Sequence, residues 1–191
     1  MPLITTLAGA SARGYGGLVT FGVPSSYESI ATVTVGSGGA ANVEFTSIPA
    51  TYTHLQIRGI YRNNNSADDS VGLQFNSDTG SNYSQHGLYG NGSSAGSYGS
   101  ANTTDITIWP LSAVANTFGT AIIDILDYKD TNKYKTVRSL TGYDNNGSGF
   151  VLLQSGSWRS TSAISSIQIT TRVGTFQQYT NVALYGIKVA S

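Results

Sequence analysis

The sequence predicts an all-β protein, an antiparallel β-sandwich of the jelly-roll kind with an extended N-terminal arm. Three observations predict it. Short stretches in which apolar and polar residues alternate recur roughly every 8–15 residues, the spacing of sandwich strands. Clusters of Gly, Ser, Asn and Thr separate them, and no stretch keeps a helical period. The most apolar stretch, Thr117–Tyr128, reads as a strand with Ala121, Ile123 and Ile125 on one side and Ile122 and Leu126 on the other. A strand apolar on both faces belongs between two layers, so it is expected at the centre and buried on both sides. Its isoleucines favour a strand over a short buried helix.

Residues 1–29 read as an attachment arm. Leu3, Ile4 and Leu7 form an apolar plug, Ala8–Ala12 is a run of small residues, and Arg13 and Tyr15 follow as polar anchors between glycines. These residues are too few and too small to build a core, so the plug is expected to pack on the sandwich, a neighbouring subunit or a larger assembly. Ala10-Ser11-Ala12 imitates a leader cleavage site, but no Lys or Arg precedes it and Thr5 and Thr6 break the apolar stretch.

Residues 30–191 read as one sandwich domain. Ile30–Val35 and Val43–Phe45 alternate around a glycine-rich turn. His54–Arg62 points Leu55, Ile57 and Tyr61 inward and Gln56, Arg58 and Arg62 outward. Val71, Leu73 and Phe75 alternate again. Asn76–Thr104 has almost no aliphatic residue beyond Leu88 and reads as a long functional loop, with a strand only over Tyr83–Tyr89. Asp105–Trp109 is a strand that Pro110 stops. Asp127–Lys135 is dense in charge and reads as an exposed hairpin tip. Tyr134–Tyr143, Phe150–Gln154, Ile164–Val173 and Val182–Val189 complete the strands.

Composition narrows the function. Only 10% of residues are charged, against about 25% in an ordinary domain, and ten acids balance ten bases. Without a basic excess there is no long-range attraction for nucleic acid, so no nucleic-acid partner is expected. Low net charge also fails to resist association, which suits a protein that assembles. There is no cysteine, hence no disulfide, thiolate metal site or cysteine nucleophile. No apolar run approaches the ~18–20 residues of a membrane-spanning helix, so no membrane insertion is expected.

No catalytic constellation appears, and the chain is expected not to be an enzyme. Asp124 and Asp127 stand three apart on a strand and so face opposite sides, a poor geometry for an acid and base pair. Asp144, Asn146 and Ser148 copy the start of a calcium loop, but its twelfth position is Ser155 instead of an acid. No metal and no cofactor is expected. Twelve tyrosines are many for this length. Tyr83, His86, Tyr89, Tyr98 and Trp158 are candidates for contact, either with a glycan, on whose ring faces aromatics stack, or with another subunit, since Tyr is enriched at interfaces.

The opening LITTLAGASARGYGGL (residues 3–18) resembles the start of many tailed-bacteriophage virion proteins. SIPATYTHLQIRGIYR (47–62) and the closing NVALYGIKVAS (181–191) are similar to β-sandwich domains of phage structural and fibre proteins. The resemblance is diffuse and carries no catalytic signature. It implies a virion component, tail-fibre-like or capsid-decorating, homo-oligomeric and often trimeric, with other virion proteins as partners. The alternative is a carbohydrate-binding module that recognises a glycan of the host surface.

Overall fold

The computed structural model describes residues 26–65, 67 and 69–189. These residues form twelve strands: β1 (Tyr27–Thr34), β2 (Asn42–Phe45), β3 (His54–Tyr61), β4 (Asp69–Phe75), β5 (Tyr83–Gly90), β6 (Ala95–Thr103), β7 (Ile106–Leu111), β8 (Gly119–Leu126), β9 (Lys135–Asp144), β10 (Gly149–Trp158), β11 (Ile167–Thr171) and β12 (Asn181–Ile187). They build an antiparallel sandwich. An eight-stranded sheet has the order β1-β12-β3-β8-β9-β10-β5-β6, and a four-stranded sheet has the order β2-β11-β4-β7.

The two inner faces supply the core. Leu55 and Ile57 of β3, Ile123 and Ile125 of β8 and Leu184 of β12 meet Leu73 and Phe75 of β4, Ile106 and Ile108 of β7, and Ile167 and Ile169 of β11. Period-two alternation places these side chains, because successive residues of a strand point to opposite faces.

Four expectations are corrected. The Thr117–Tyr128 stretch supplies a mid-sheet strand, β8, but only one of its faces is buried. Ile122 and Leu126 point outward and each stays 37% exposed, because no layer covers the far side of the larger sheet among the described residues. Asn76–Thr104 is not a loop with one strand: it holds the hairpin β5–β6, in which small residues replace the aliphatic signal. Pro110 does not stop a strand but lies within β7, which is tolerated because β7 is an edge strand. The Ile164–Val173 strand is shorter, spanning only Ile167–Thr171, although Ile164 is buried in the core.

The eight-stranded sheet outgrows its partner. Over β9, β10, β5 and β6 the inner face is closed partly by its own polar and aromatic side chains. Tyr98 Oη donates to Gln154 Oε1 (2.7 Å), and Gln85 Oε1 accepts from the Thr107 N–H (2.6 Å). Gln85 and Gln154 are both buried, so these bonds satisfy groups that water cannot reach.

Lys135 is an unusual member of the interior. It is fully buried, and its Nζ donates to the backbone carbonyls of Asp130 (2.5 Å), Lys133 (3.1 Å) and Thr161 (3.3 Å). Burial pushes its pKa below the usual 10.5. The folded state thus holds this proton less firmly than the unfolded chain, and stability should rise as pH climbs through the lowered pKa towards 10.5. Lys135→Met should remove that rise. At neutral pH it should also cost about 1–3 kcal/mol, because carbonyls lose their donor. Urea titrations of both proteins at about pH 7 and about pH 10 check this.

Candidate functional site

The outer face of the eight-stranded sheet is where the surface departs from an ordinary one. Strand register aligns Arg58 of β3, Ile122 of β8, Leu140 of β9, Leu153 of β10 and Leu88 of β5 in one row across five adjacent strands. The four aliphatic side chains are all exposed, Leu140 at 51%, Leu153 at 54% and Leu88 at 63%. Val151 and Ile60 of the next row widen the band. Scattered apolar residues are normal on a surface, whereas a contiguous apolar band is uncommon on one.

A polar row borders the band. It runs Tyr185, Gln56, Asp124, Arg138, Ser155 and His86 across β12, β3, β8, β9, β10 and β5. Its bonds are ordered: Tyr27 Oη donates to Gln56 Oε1 (2.6 Å), and Gln56 Nε2 donates to Asp124 Oδ1 (2.7 Å). Tyr27 stacks on Tyr185 with ring centres 4.8 Å apart. Two shallow hollows flank the Ile122–Leu140 ridge. One of about 530 Å³ has Arg58, Thr120, Asn181 and Ala183 in its wall, and one of about 650 Å³ has His86, Ser97, Arg138 and Leu153.

The two ends of the sheet differ. At one end β1 begins and β12 finishes, so the two ends of the described chain lie together there. At the other end the β5–β6 and β9–β10 turns stand side by side, because Val151 pairs with Gly90 and Gly149 with Asp144. Near these turns Phe150 is packed between aromatics. Tyr89 (5.4 Å, 22°) and Tyr143 (6.3 Å, 19°) stack with it, and Trp109 tilts against it at 5.9 Å. All four rings are half-buried.

The five expected contact residues do not form one site. Tyr83 and Trp158 belong to the core, at 0% and 2% exposure, and offer no ring to a ligand. Burial pushes the Tyr83 hydroxyl up to about 12. His86 lies on the outer face, in the polar row. Tyr98 is held on the inner side by Gln154. Only Tyr89 belongs to the aromatic group at the turns, and its companions Trp109, Tyr143 and Phe150 were missed. Cross-strand pairing brings them together, and no sequence spacing encodes it. The arm residues Leu3, Ile4, Leu7, Arg13 and Tyr15 lie outside the described residues. Among the described residues, no three His, Asp or Glu side chains gather as a metal site would require. Comparison with family models and with curated proteins finds no match, so the functional reading rests on this geometry and on the sequence resemblance.

Proposed function

We propose that the chain is a non-enzymatic structural protein of a tailed-phage virion, tail-fibre-like or capsid-decorating. In this reading it docks by its N-terminal arm and packs against further copies of itself through the outer face of the larger sheet. The observation that carries the assembly reading is the row of exposed aliphatic side chains from Ile122 to Leu88. Eight strands of about eight residues give a face of roughly 1,000 Å², the scale that a stable interface buries on each partner, about 800 Å². A ridge beside two hollows offers complementary shapes to a neighbouring copy of the same chain. The virion setting and a trimer rest on the resemblance of residues 3–18, 47–62 and 181–191.

A jelly roll is the finer fold that we propose. Its support is the strand order: β1-β12-β3-β8 in one sheet facing β2-β11-β4-β7 in the other is that of two interleaved Greek keys. The hairpins β5–β6 and β9–β10 then read as insertions that extend one sheet.

The test is the double substitution Leu140→Lys, Leu153→Glu. The two positions pair directly, so opposite charges support the strand pairing while the apolar ridge disappears. Each lost leucine removes about 1.5–3 kcal/mol of burial per subunit, so association should weaken by at least about 100-fold. Light scattering should find a monomer with an unchanged circular dichroism spectrum. A variant that associates as tightly as the parent contradicts the assembly reading.

A further inference from the structure

We infer that His86 makes the outer-face assembly sensitive to acid, so that copies separate as the pH falls below neutral. The inference rests on the assembly reading and adds its regulation. His86 stands on the outer side of β5, two residues from Leu88, so both side chains point to the same face. It pairs with Ser155 of β10 and Gly99 of β6. Its ring lies over Gly99: a Cβ on that glycine would come 2.7 Å from His86 Cδ2 and 2.8 Å from Nε2. The imidazole therefore lies down on the sheet. It shares the wall of the hollow of about 650 Å³ with Leu88, Leu153 and Arg138. A copy that covers Leu88 and Leu153 covers His86 as well.

The charges around it cannot balance a proton. β5, β6 and β10 carry no Asp, Glu, Lys or Arg. β7, which packs on the inner side of β5, carries none either. The first charged residue along the His86 row is Arg138 of β9, a like charge to an imidazolium. The next is Asp124 of β8, which stands beyond Arg138 and already accepts from Gln56. Arg159, past the end of β10, is a further cation, bonded to Ser81 O and Asn102 Oδ1. A protonated His86 in a covered hollow would thus be an unpaired buried cation, which is costly, whereas the neutral ring is not. The proton binds the free copy in preference to the assembled one, so acid favours the free copy. Association is full above the range of about pH 5–8 in which histidine side chains ordinarily titrate, and it is lost as the pH falls through that range. His54, the other histidine, is the contrast: Asp127 Oδ1 lies 3.4 Å from its Nδ1, so a carboxylate is at hand to balance its charge.

Light scattering of the full chain at about pH 8 and about pH 5.5 tests this. Both values lie above the ordinary range of carboxylates, so the circular dichroism spectrum should not change between them. Association should weaken about tenfold or more at the lower pH. His86→Gln, which stays neutral, should associate equally at both. His86→Lys, a permanent cation, should associate weakly at both. His54→Gln should keep the acid response of the parent. Equal association of the parent at the two pH values overturns the inference and leaves the assembly reading standing. An acid response that survives His86→Gln overturns it in the same way. A parent that is monomeric at both overturns the assembly reading, and this inference with it.

Discussion

Replacing Trp158 by alanine should cost about 3–5 kcal/mol, a large share of the roughly 5–15 kcal/mol that holds a domain folded. The indole is almost wholly buried and packs on Phe75 (5.6 Å) and Tyr83 (6.3 Å). Removing it opens a cavity whose walls are strands and cannot collapse freely. It also removes the Nε1 donor to Asp78 Oδ2 (2.7 Å). Burial around Asp78 raises its pKa, but the bonds from Trp158, Asn82 and the Gly80 N–H outweigh that and leave it below 3.8. A depressed carboxylate pKa contributes stability above the unfolded value, and that contribution is lost as pH falls through the folded value. Trp158→Phe separates the two effects. It keeps most of the packing and should reduce the loss of stability below about pH 4, as Trp158→Ala also does. Urea midpoints at about pH 7 and about pH 3 measure both. A Trp158→Ala protein of unchanged midpoint would contradict the placement of this side chain in the core.

Gly119→Ala should prevent folding or cost more than about 4 kcal/mol, beyond the range of ordinary substitutions. Gly119 opens β8, and a Cβ there would sit 1.7 Å from the Pro110 carbonyl oxygen, 2.6 Å from its carbon and 3.0 Å from the Gly142 oxygen. All three are backbone atoms, so no side chain can swing away. Relief would require moving β7 from β8, and Pro110, Ile108 and Leu111 are packed there. The neighbouring Thr120→Ala, whose side chain points outward, should stay within about 0.5 kcal/mol. Expression of soluble protein and thermal melting compare the two. A Gly119→Ala protein that melts with the parent would refute the close approach of β7 and β8.

Much of the fold was legible because one-sided burial writes a period of two into a strand. His54–Tyr61, Val71–Phe75 and the Ala121, Ile123, Ile125 series carry that pattern, and each lies inward as expected. In the β5–β6 hairpin, β5 was legible over Tyr83–Tyr89, but its partner β6 was not, for a physical reason. β6 pairs through its backbone while its side chains are mostly Gly, Ser, Ala and Asn, so no hydrophobic alternation marks it. The outer face was misread for a related reason. Ile122 and Leu126 look like core residues in sequence, and their alternation does not say whether a second layer covers the far face of the strand. Sequence alone does not separate burial within the subunit from burial between subunits.

The aromatic residues misled in the opposite direction. Tyr83 and Trp158 were grouped with Tyr89 and Tyr98 by residue type. Their fates are set by which side of the strand each occupies and by what lies over it. Tyr83 and Trp158 are paired across β5 and β10 under the four-stranded sheet, where Phe75 covers them. Tyr89 is six residues along β5, at the other end of the sheet.

The measurement that tests the account most directly is the native mass of the full chain by light scattering, beside a version beginning at Ser26. That version keeps Tyr27, which belongs to the outer-face polar group. The account predicts that both are oligomers of the same subunit number, because the sheet face assembles the body and leaves the arm free to dock elsewhere. Two monomers, or an oligomer that falls to the monomer when residues 1–25 are removed, would contradict it.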